Sequence, residues 1–207
     1  MIGGREDWFP TSVWGFEIPD PEPLNAELLK LITAERLADP NGLSDRSTVL
    51  GWHSRDDLHR RSELAPLAQF IEAGVSEAAN FQKWDLSQAA PILATCWANV
   101  NGKGASNVVH THPHCFLSGV YYVSAKAESG RLFFLDPRPA APMIAPPMTE
   151  HTPWTFQTVR YEPKPGRMLI FPSWLQHGVE PNLSDGDRVC ISFNIGLKWI
   201  GEPGASS

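Results

Sequence analysis

The second half of the chain is a series of short apolar or alternating segments, each separated from the next by turn residues. Six of them follow Trp84. Short segments at regular intervals are typical of an antiparallel β-sandwich or barrel. A proline-rich loop interrupts the series, because eight of the nineteen prolines lie between Pro137 and Pro165 and proline is excluded from central strands. The six segments read "ILATCWANVN", "FLSGVYYV", "RLFFLD", "WTFQTVRY", "RMLIFP" and "RVCISFNIGL".

The first third of the chain has helical periodicity instead. The segment "PEPLNAELLKLITAERLAD" predicts a helix that is capped by Asn25 or Asp20 and ends at "DPNG". A second helix is predicted over "SELAPLAQFIEAGVSEAANF", and "STVLGWHSRDDL" between the two predicts an irregular connection. The apolar stripes of the predicted helices are Leu24, Leu28, Leu31 and Ile32, and then Leu64, Leu67, Phe70, Ile71 and Val75.

These patterns predict one domain over 1–207, mostly β with flanking α. Residues 1–84 form its helical preface and residues 85–200 its β-barrel core. A chain of this length can bury a sizeable core as a single domain.

The last predicted strand has two different faces, because side chains alternate across a strand. In "RVCISFNI" one face is apolar and suited to packing on helices: Val189, Ile191, Phe193 and Ile195. The other face is small and polar and begins with an arginine: Arg188, Cys190, Ser192 and Asn194. A barrel with a polar inner face predicts a ligand cavity.

Composition excludes several classes of partner. The net charge of -6 and pI near 5.6 argue against a nucleic-acid partner, which requires a basic face. No apolar run reaches the length of a membrane helix, and the first ten residues contain no apolar signal core, so no membrane partner is expected. The odd count of three scattered cysteines is typical of reduced thiols, and a cytoplasmic location is expected.

The stretch "VVHTHPHCFLSGVYYV" contains three of the seven histidines. His110 and His112 are two positions apart, so in a strand both imidazoles point to the same side. A third ligand has to come from elsewhere, and His177 in "FPSWLQHGVEPN" offers one. Arg188 follows eleven residues later, and its planar guanidinium suits a carboxylate. Three ligands on one side of a metal ion leave its remaining coordination positions open for other ligands.

Several motifs resemble those of a bacterial family of 2-oxoglutarate/Fe(II) oxygenases. They are "NVNGKGASNVVHTHP", "LSGVYYV", "SGRLFFLDPR", "GRMLIFPSWLQHGVEPN", "RVCISFN" and, before the barrel, "GWHSRDDL". The resemblance implies a double-stranded β-helix (a jelly-roll or cupin-like barrel) with the N-terminal helices packed on its major sheet. Gly104 lies six residues before His110, as in prolyl-hydroxylase-type enzymes, which puts His110 at the first ligand position.

The same resemblance implies the site. His110, His112 and His177 are the implied Fe(II) ligands, and with Arg188 they form the catalytic set. Arg188 and Tyr122 are implied to hold the far carboxylate of 2-oxoglutarate. Ser192 and Asn99 are further candidates for the cosubstrate site.

The third metal ligand departs from the family pattern, which has Asp or Glu where this chain has His112. A three-histidine site is one interpretation, since imidazole is a good Fe(II) ligand. In the second, Asp136 of "FFLDPR" supplies the carboxylate. In the third, the triad is incomplete or uses His114. An ion pair between Asp136 and Arg138 that braces the long loop is the structural alternative for Asp136.

Two functions remain at this stage. The first is an Fe(II)- and 2-oxoglutarate-dependent dioxygenase that uses dioxygen to hydroxylate a small molecule or a peptide side chain, with release of succinate and CO2. The second is a cupin-like three-histidine metal-binding protein without 2-oxoglutarate turnover. Arg188 favours the enzyme, because a simple metal binder does not need it. The substrate, and whether the protein is a homodimer, are left open.

Overall fold

The computed structural model describes residues 3–141 and 143–200. Eleven β-strands, two α-helices and two short 3₁₀ turns make up its regular structure. In chain order these are β1 (Trp14–Glu17), α1 (Glu22–Ala38), β2 (Thr48–Val49), β3 (Trp52–His53), the 3₁₀ turns Leu58–Arg60 and Ser62–Leu64, α2 (Ala65–Phe81), β4 (Ala89–Asn101), β5 (Ser106–His110), β6 (Leu117–Ser124), β7 (Leu132–Leu135), β8 (Thr158–Tyr161), β9 (Arg167–Pro172), β10 (His177–Val179) and β11 (Arg188–Trp199).

The strands form two sheets that do not close on each other. The major sheet has the strand order β1-β9-β6-β11-β4-β3, and the minor sheet has the order β2-β5-β10-β7-β8. All pairs of named strands within the described residues are antiparallel. The predicted mostly-β fold with flanking helices is therefore confirmed.

Both helices pack on the major sheet, as predicted. Leu28 of α1 and Leu67 of α2 belong to one buried cluster with Tyr121, Ile191 and Phe193 of the sheet. Burial of each such side chain contributes about 1.5–3 kcal/mol, so this layer stabilises the outer face of the major sheet. Neither helix is long and apolar enough to span a membrane.

Two details of the predicted helices are wrong. Helix α1 begins after Pro21 without a side-chain cap, and Asn25 is instead buried within it, where its Oδ1 accepts a 2.6 Å hydrogen bond from the Tyr121 hydroxyl. Phe70 of α2 is 37% exposed, because the buried stripe of that helix follows Leu67, Ile71 and small residues toward its end.

The predicted helical preface also supplies three strands that the sequence pattern did not indicate. β1 pairs with β9 at one edge of the major sheet, and β3 pairs with β4 at the other. β2 pairs with β5 in the minor sheet. β2 and β3 lie within the predicted irregular connection and have two residues each, which is too short for an alternating pattern to be detected.

Strand β11 has the two faces predicted from its alternation. Val189, Ile191, Phe193 and Ile195 join the cluster beneath the helices. On the opposite face Arg188, Cys190 and Ser192 line a cavity between the two sheets. The fold thus places a polar strand face opposite the strands that carry the histidines.

Candidate metal and cosubstrate site

Three histidines meet at one end of the minor sheet. His110 is the last residue of β5, His177 is the first of β10, and these two residues pair directly across the ladder. His112 lies two residues beyond β5, where its backbone N–H donates a 3.0 Å hydrogen bond to the Ser173 carbonyl. One ligand atom from each imidazole lies within 4.8 Å of the others. The three side chains can therefore reach one metal ion.

Backbone carbonyls set the tautomers of two of the rings. Nδ1 of His110 donates to the Val108 carbonyl at 2.8 Å, and Nδ1 of His177 donates to the Leu175 carbonyl at 2.8 Å. Each bond leaves Nε2 unprotonated, with its lone pair free. Metal-binding histidines are commonly oriented in this way by a hydrogen bond at the other ring nitrogen. The donor set therefore fits a divalent transition metal.

Burial keeps the imidazoles neutral. Burial lowers the pKa of His110. Burial, and repulsion from His110 when that ring is protonated, lower the pKa of His112 to about 4. Burial and the two neighbouring histidines lower the pKa of His177 to about 3. Metal binding requires neutral imidazole, so near neutral pH the three rings are in their ligating form.

Aromatic side chains surround two of the rings. The ring centroid of His177 lies 4.7 Å from that of Phe171 and 6.0 Å from that of Phe134. The Trp97 ring lies 5.7 Å from His112. Rings packed in this way cannot easily rotate, so the three nitrogens are held in place before any metal binds.

Arg188 lies at the far end of the same cavity and is only 1% exposed. One terminal nitrogen, Nη1, donates to the carbonyls of Ser129 and Gly130 at 3.3 and 3.1 Å. Its Nε is buried and has no hydrogen-bond partner, and none of the ion pairs among the described residues involves Arg188. A buried charge without a counterion is costly, so the cavity is suited to an anion.

The other predicted cosubstrate residues line the same cavity. Tyr122 is 3% exposed, and burial raises the pKa of its hydroxyl, which therefore remains a hydrogen-bond donor. Ser192 and Asn99 also face the cavity, and the Asn99 amide donates to the Ser192 hydroxyl at 3.4 Å. The cavity has a volume of about 50 Å³. None of the described residues that line it is Asp or Glu.

Asp136 and His114, the other candidates for the third ligand, are not part of the histidine group. The Asp136 carboxylate forms a two-pronged ion pair with Arg138, at 3.0 and 2.8 Å, and it faces a different cavity under the proline-rich loop. His114 is exposed in a turn with a φ of 65°. Of the three interpretations, the geometry favours the one with His112.

Asn107 is a polar residue of the cavity that was missed from the sequence. Asn107 lies three positions before His110, so simple alternation puts it on the opposite side of β5. A register shift between the His177–His110 and Val179–Asn107 pairs brings both side chains to the cavity. Asn107 then donates to the Ser47 hydroxyl at 3.1 Å. The hydrophobic pattern does not reveal this bulge. The two intervening residues, Val108 and Val109, are both apolar and both exposed, so they do not alternate between a buried and an exposed face.

Comparison with known protein families gives one match. Residues 95–194 match the family described as "Putative 2OG-Fe(II) oxygenase" (2OG, 2-oxoglutarate). This segment runs from the inner face of β4 through the three histidines and Arg188 to Asn194. No curated protein sequence matches the chain.

Solved structures of similar shape include two prolyl hydroxylases and an iron-bound protein. A prolyl-4-hydroxylase from Pseudomonas putida superposes with a TM-score of 0.64 at 13% identity, over 90% of this chain and 92% of that one. A Trichoplax adhaerens prolyl hydroxylase, solved with a hypoxia-inducible factor peptide, gives 0.63 at 13% identity over 89% and 83%. HygX from Streptomyces hygroscopicus, solved with iron bound, gives 0.60 at 16% identity over 90% and 82%.

At such low identity these structures establish the fold alone, and they confirm the predicted double-stranded β-helix. The family match covers residues 95–194, so it is this segment of the chain that is similar to the putative 2OG-Fe(II) oxygenase family.

Proposed function

We propose that the protein is an Fe(II)- and 2OG-dependent dioxygenase in which His110, His112 and His177 hold the metal and Arg188 holds the cosubstrate. Its reaction is the hydroxylation of a C–H bond in a small molecule or a peptide side chain, with release of succinate and CO2. The observation that carries the proposal is the unpaired, buried guanidinium of Arg188 in the cavity that the three histidines close.

Charge supports 2OG as the ligand of this cavity. Three neutral imidazoles leave the full charge of a divalent metal at one end, and Arg188 adds one positive charge at the other. The cavity lining contains no carboxylate. A dicarboxylate with one end on the metal and the other on Arg188 neutralises both ends, and in a buried site such pairing is needed for each charge.

Each residue has a distinct part in binding. Arg188 fixes the far carboxylate through a charge-assisted hydrogen bond, and the Tyr122 hydroxyl is a second donor in the same part of the cavity. The backbone carbonyls of Val108 and Leu175 hold the rings of His110 and His177 with Nε2 toward the metal position. Phe171 and Trp97 exclude water from the sides of the site.

Bound Fe(II) supplies the redox chemistry, namely dioxygen activation coupled to the oxidative decarboxylation of 2OG and to substrate hydroxylation. The protein's own contribution is to position 2OG, the metal and the substrate, and to keep the site dry.

Anaerobic titration tests this assignment. The Fe(II)-loaded protein should bind one 2OG per chain, and a chelating 2-oxo acid on Fe(II) should produce a visible absorption band. Metal-loaded protein that binds neither 2OG nor any other 2-oxo acid would exclude the proposal and would leave the cupin-like metal-binding protein as the better interpretation.

A further inference from the structure

A chain of three polar side chains crosses the inner face of the major sheet beside the histidine group. The Ser118 hydroxyl on β6 donates to Oδ1 of Asn194 on β11 at 2.8 Å, and Nδ2 of Asn194 donates to Oγ1 of Thr95 on β4 at 3.0 Å. The three residues are direct neighbours across the ladder. None of them lines the cosubstrate cavity. We call this chain the Ser118–Asn194–Thr95 relay.

The strand register places the relay on the far side of the metal position from Arg188. Along β4, the inner residues pair in turn with Arg188, Cys190, Ser192 and Asn194 of β11. Trp97, which packs against His112, is opposite Ser192. Thr95 is one strand period further, about 6.6 Å along β4. If 2OG spans the distance between Arg188 and the metal, Thr95 lies on the side that remains for the substrate.

Exposure increases in the same direction. Arg188 is 1% exposed and Trp97 is 8% exposed, whereas Thr95 is half-buried. Thr95 is therefore the most exposed of the inner residues of β4 and of the relay.

The backbone ties this end of β11 to the metal ligands. The His112 N–H donates to the Ser173 carbonyl, the Ser173 N–H to the Phe116 carbonyl, and the Phe116 N–H to the Ile195 carbonyl, at 3.0, 3.2 and 2.9 Å. Ile195 directly follows Asn194. A register shift between Asn194 and Ile195 also marks a bulge opposite, at Ala94, and bulges next to active sites commonly redirect side chains.

The burial of Ser118 determines which group donates in each hydrogen bond of the relay. Ser118 is 1% exposed, and its hydroxyl has no acceptor other than Asn194 among the described residues. A buried hydroxyl without an acceptor is costly, so the Ser118 proton must point to Oδ1. The Asn194 Nδ2 then faces Thr95, whose oxygen accepts. The Thr95 O–H has no acceptor in the described part of the chain, and it is the one donor of the relay left for a ligand.

We propose that Thr95 is a substrate-positioning residue whose hydroxyl, oriented by Asn194 and Ser118, donates a hydrogen bond to a carbonyl or carboxylate oxygen of the substrate. The inference rests on the proposed function and deepens it. It defines the substrate class as compounds with an acyl oxygen close to the carbon that is oxidised.

Four variants test the relay. Thr95→Val removes the hydroxyl at nearly constant volume, and Thr95→Ser retains it. Asn194→Asp keeps the shape of the side chain but replaces the amide with a carboxylate, which only accepts hydrogen bonds. The Thr95 hydroxyl should then donate to Asp at position 194, and it is no longer available to a ligand. Thr158→Val, in strand β8 of the minor sheet, is the matched control.

The probes are two sets of small acyl compounds, the N-acetyl amino acid methylamides and the free amino acids. Each protein is loaded with Mn(II) and the non-oxidisable 2OG analogue N-oxalylglycine, and metal-dependent NMR relaxation of the probe protons is measured. We expect the parent to bind members of one set near the metal. Thr95→Val and Asn194→Asp should weaken the binding of that set about threefold to tenfold, whereas Thr95→Ser and Thr158→Val should not.

The set that binds distinguishes a peptide carbonyl from a free carboxylate as the acceptor. Equal probe affinities in the parent and in Thr95→Val would overturn the proposal, as would the absence of relaxation for every probe with the parent protein. Loading of Mn(II) and N-oxalylglycine is measured first and separately. If that loading fails, it is the proposed function that is contradicted.

Discussion

Nε2 of His112 lies 3.3 Å from Nε2 of His177. The pKa of each ring is low, so both rings are uncharged near neutral pH. The His177 Nε2 has no proton, because its Nδ1 donates to the Leu175 carbonyl. Two ring nitrogens that converge in this way are suited to share one cation.

Loss of His177 should abolish metal binding. His177→Ala removes one of three ligands from a ring cluster in which only imidazoles converge, so the variant should retain little Fe(II) or Co(II) after desalting. The metal content per chain, measured by elemental analysis, checks this. His114→Ala is the matched control, because His114 is exposed and outside the group, and it should keep the parent's metal content. Equal metal in parent and His177→Ala would contradict the site.

The proposed site has His112 where the similar oxygenase family is expected to have a carboxylate, so His112→Asp should retain metal whereas His112→Ala should not. The acidic variant lowers the charge of the loaded site by one unit, and it should therefore bind the 2OG dianion more weakly than the parent. Calorimetric titration of metal and then of 2OG measures both effects. A metal-free His112→Asp together with a fully loaded His112→Ala would remove His112 from the ligand set.

Arg188 should determine the affinity for 2OG and not for metal. A hydrogen bond to a charged partner is worth about 1.5–3 kcal/mol, so Arg188→Ala should weaken 2OG binding about tenfold to a hundredfold. Pyruvate is the matched ligand, because it has the chelating end but no far carboxylate, and its binding should hardly change. Arg188→Lys should be intermediate, since an ammonium lacks the planar fork. An equal loss for 2OG and pyruvate would indicate damage to the fold instead.

Glu180 should stabilise the segment that holds Arg188, in a pH-dependent manner. It accepts hydrogen bonds from Arg131 at 2.7 and 3.1 Å and from Arg160 at 2.9 Å, and the Arg131 bonds are the main reason that its pKa is lowered from 4.5. A lowered pKa stabilises the folded state above the unfolded value, and this stability is lost as pH falls through the folded pKa.

Glu180→Gln should therefore cost about 1 kcal/mol near pH 7, since the pair is partly exposed. The difference in the free energy of unfolding should shrink toward zero as the pH falls through the lowered pKa of Glu180. Urea denaturation at neutral pH and at a series of acidic pH values measures it. A difference that stays constant with pH would mean that the charge of Glu180 is not the cause.

Strand β11 was predictable from the sequence because its alternation is strict and both of its faces are buried. The pairing of β5 with β10 was not, since the bulge at Val108 and Val109 leaves no trace in the hydrophobic pattern. Asn107 was missed for that reason.

The third ligand could not be chosen from sequence alone. In the sequence, His112 and Asp136 each lie next to a predicted strand, so either could supply the third ligand. Only the three-dimensional arrangement shows that the Asp136 carboxylate forms an ion pair with Arg138. The two-residue strands β2 and β3 are set by their partners in the sheets, not by their own composition.

Oxygen-dependent turnover of 2OG tests the central claim most directly. Protein loaded anaerobically with Fe(II) and 2OG is exposed to air without any added substrate, and succinate and CO2 are measured together with 2OG consumption. The proposed function predicts slow formation of one succinate for each 2OG consumed, and its loss in His177→Ala. Protein that binds Fe(II) and 2OG fully yet forms no succinate in air would contradict it.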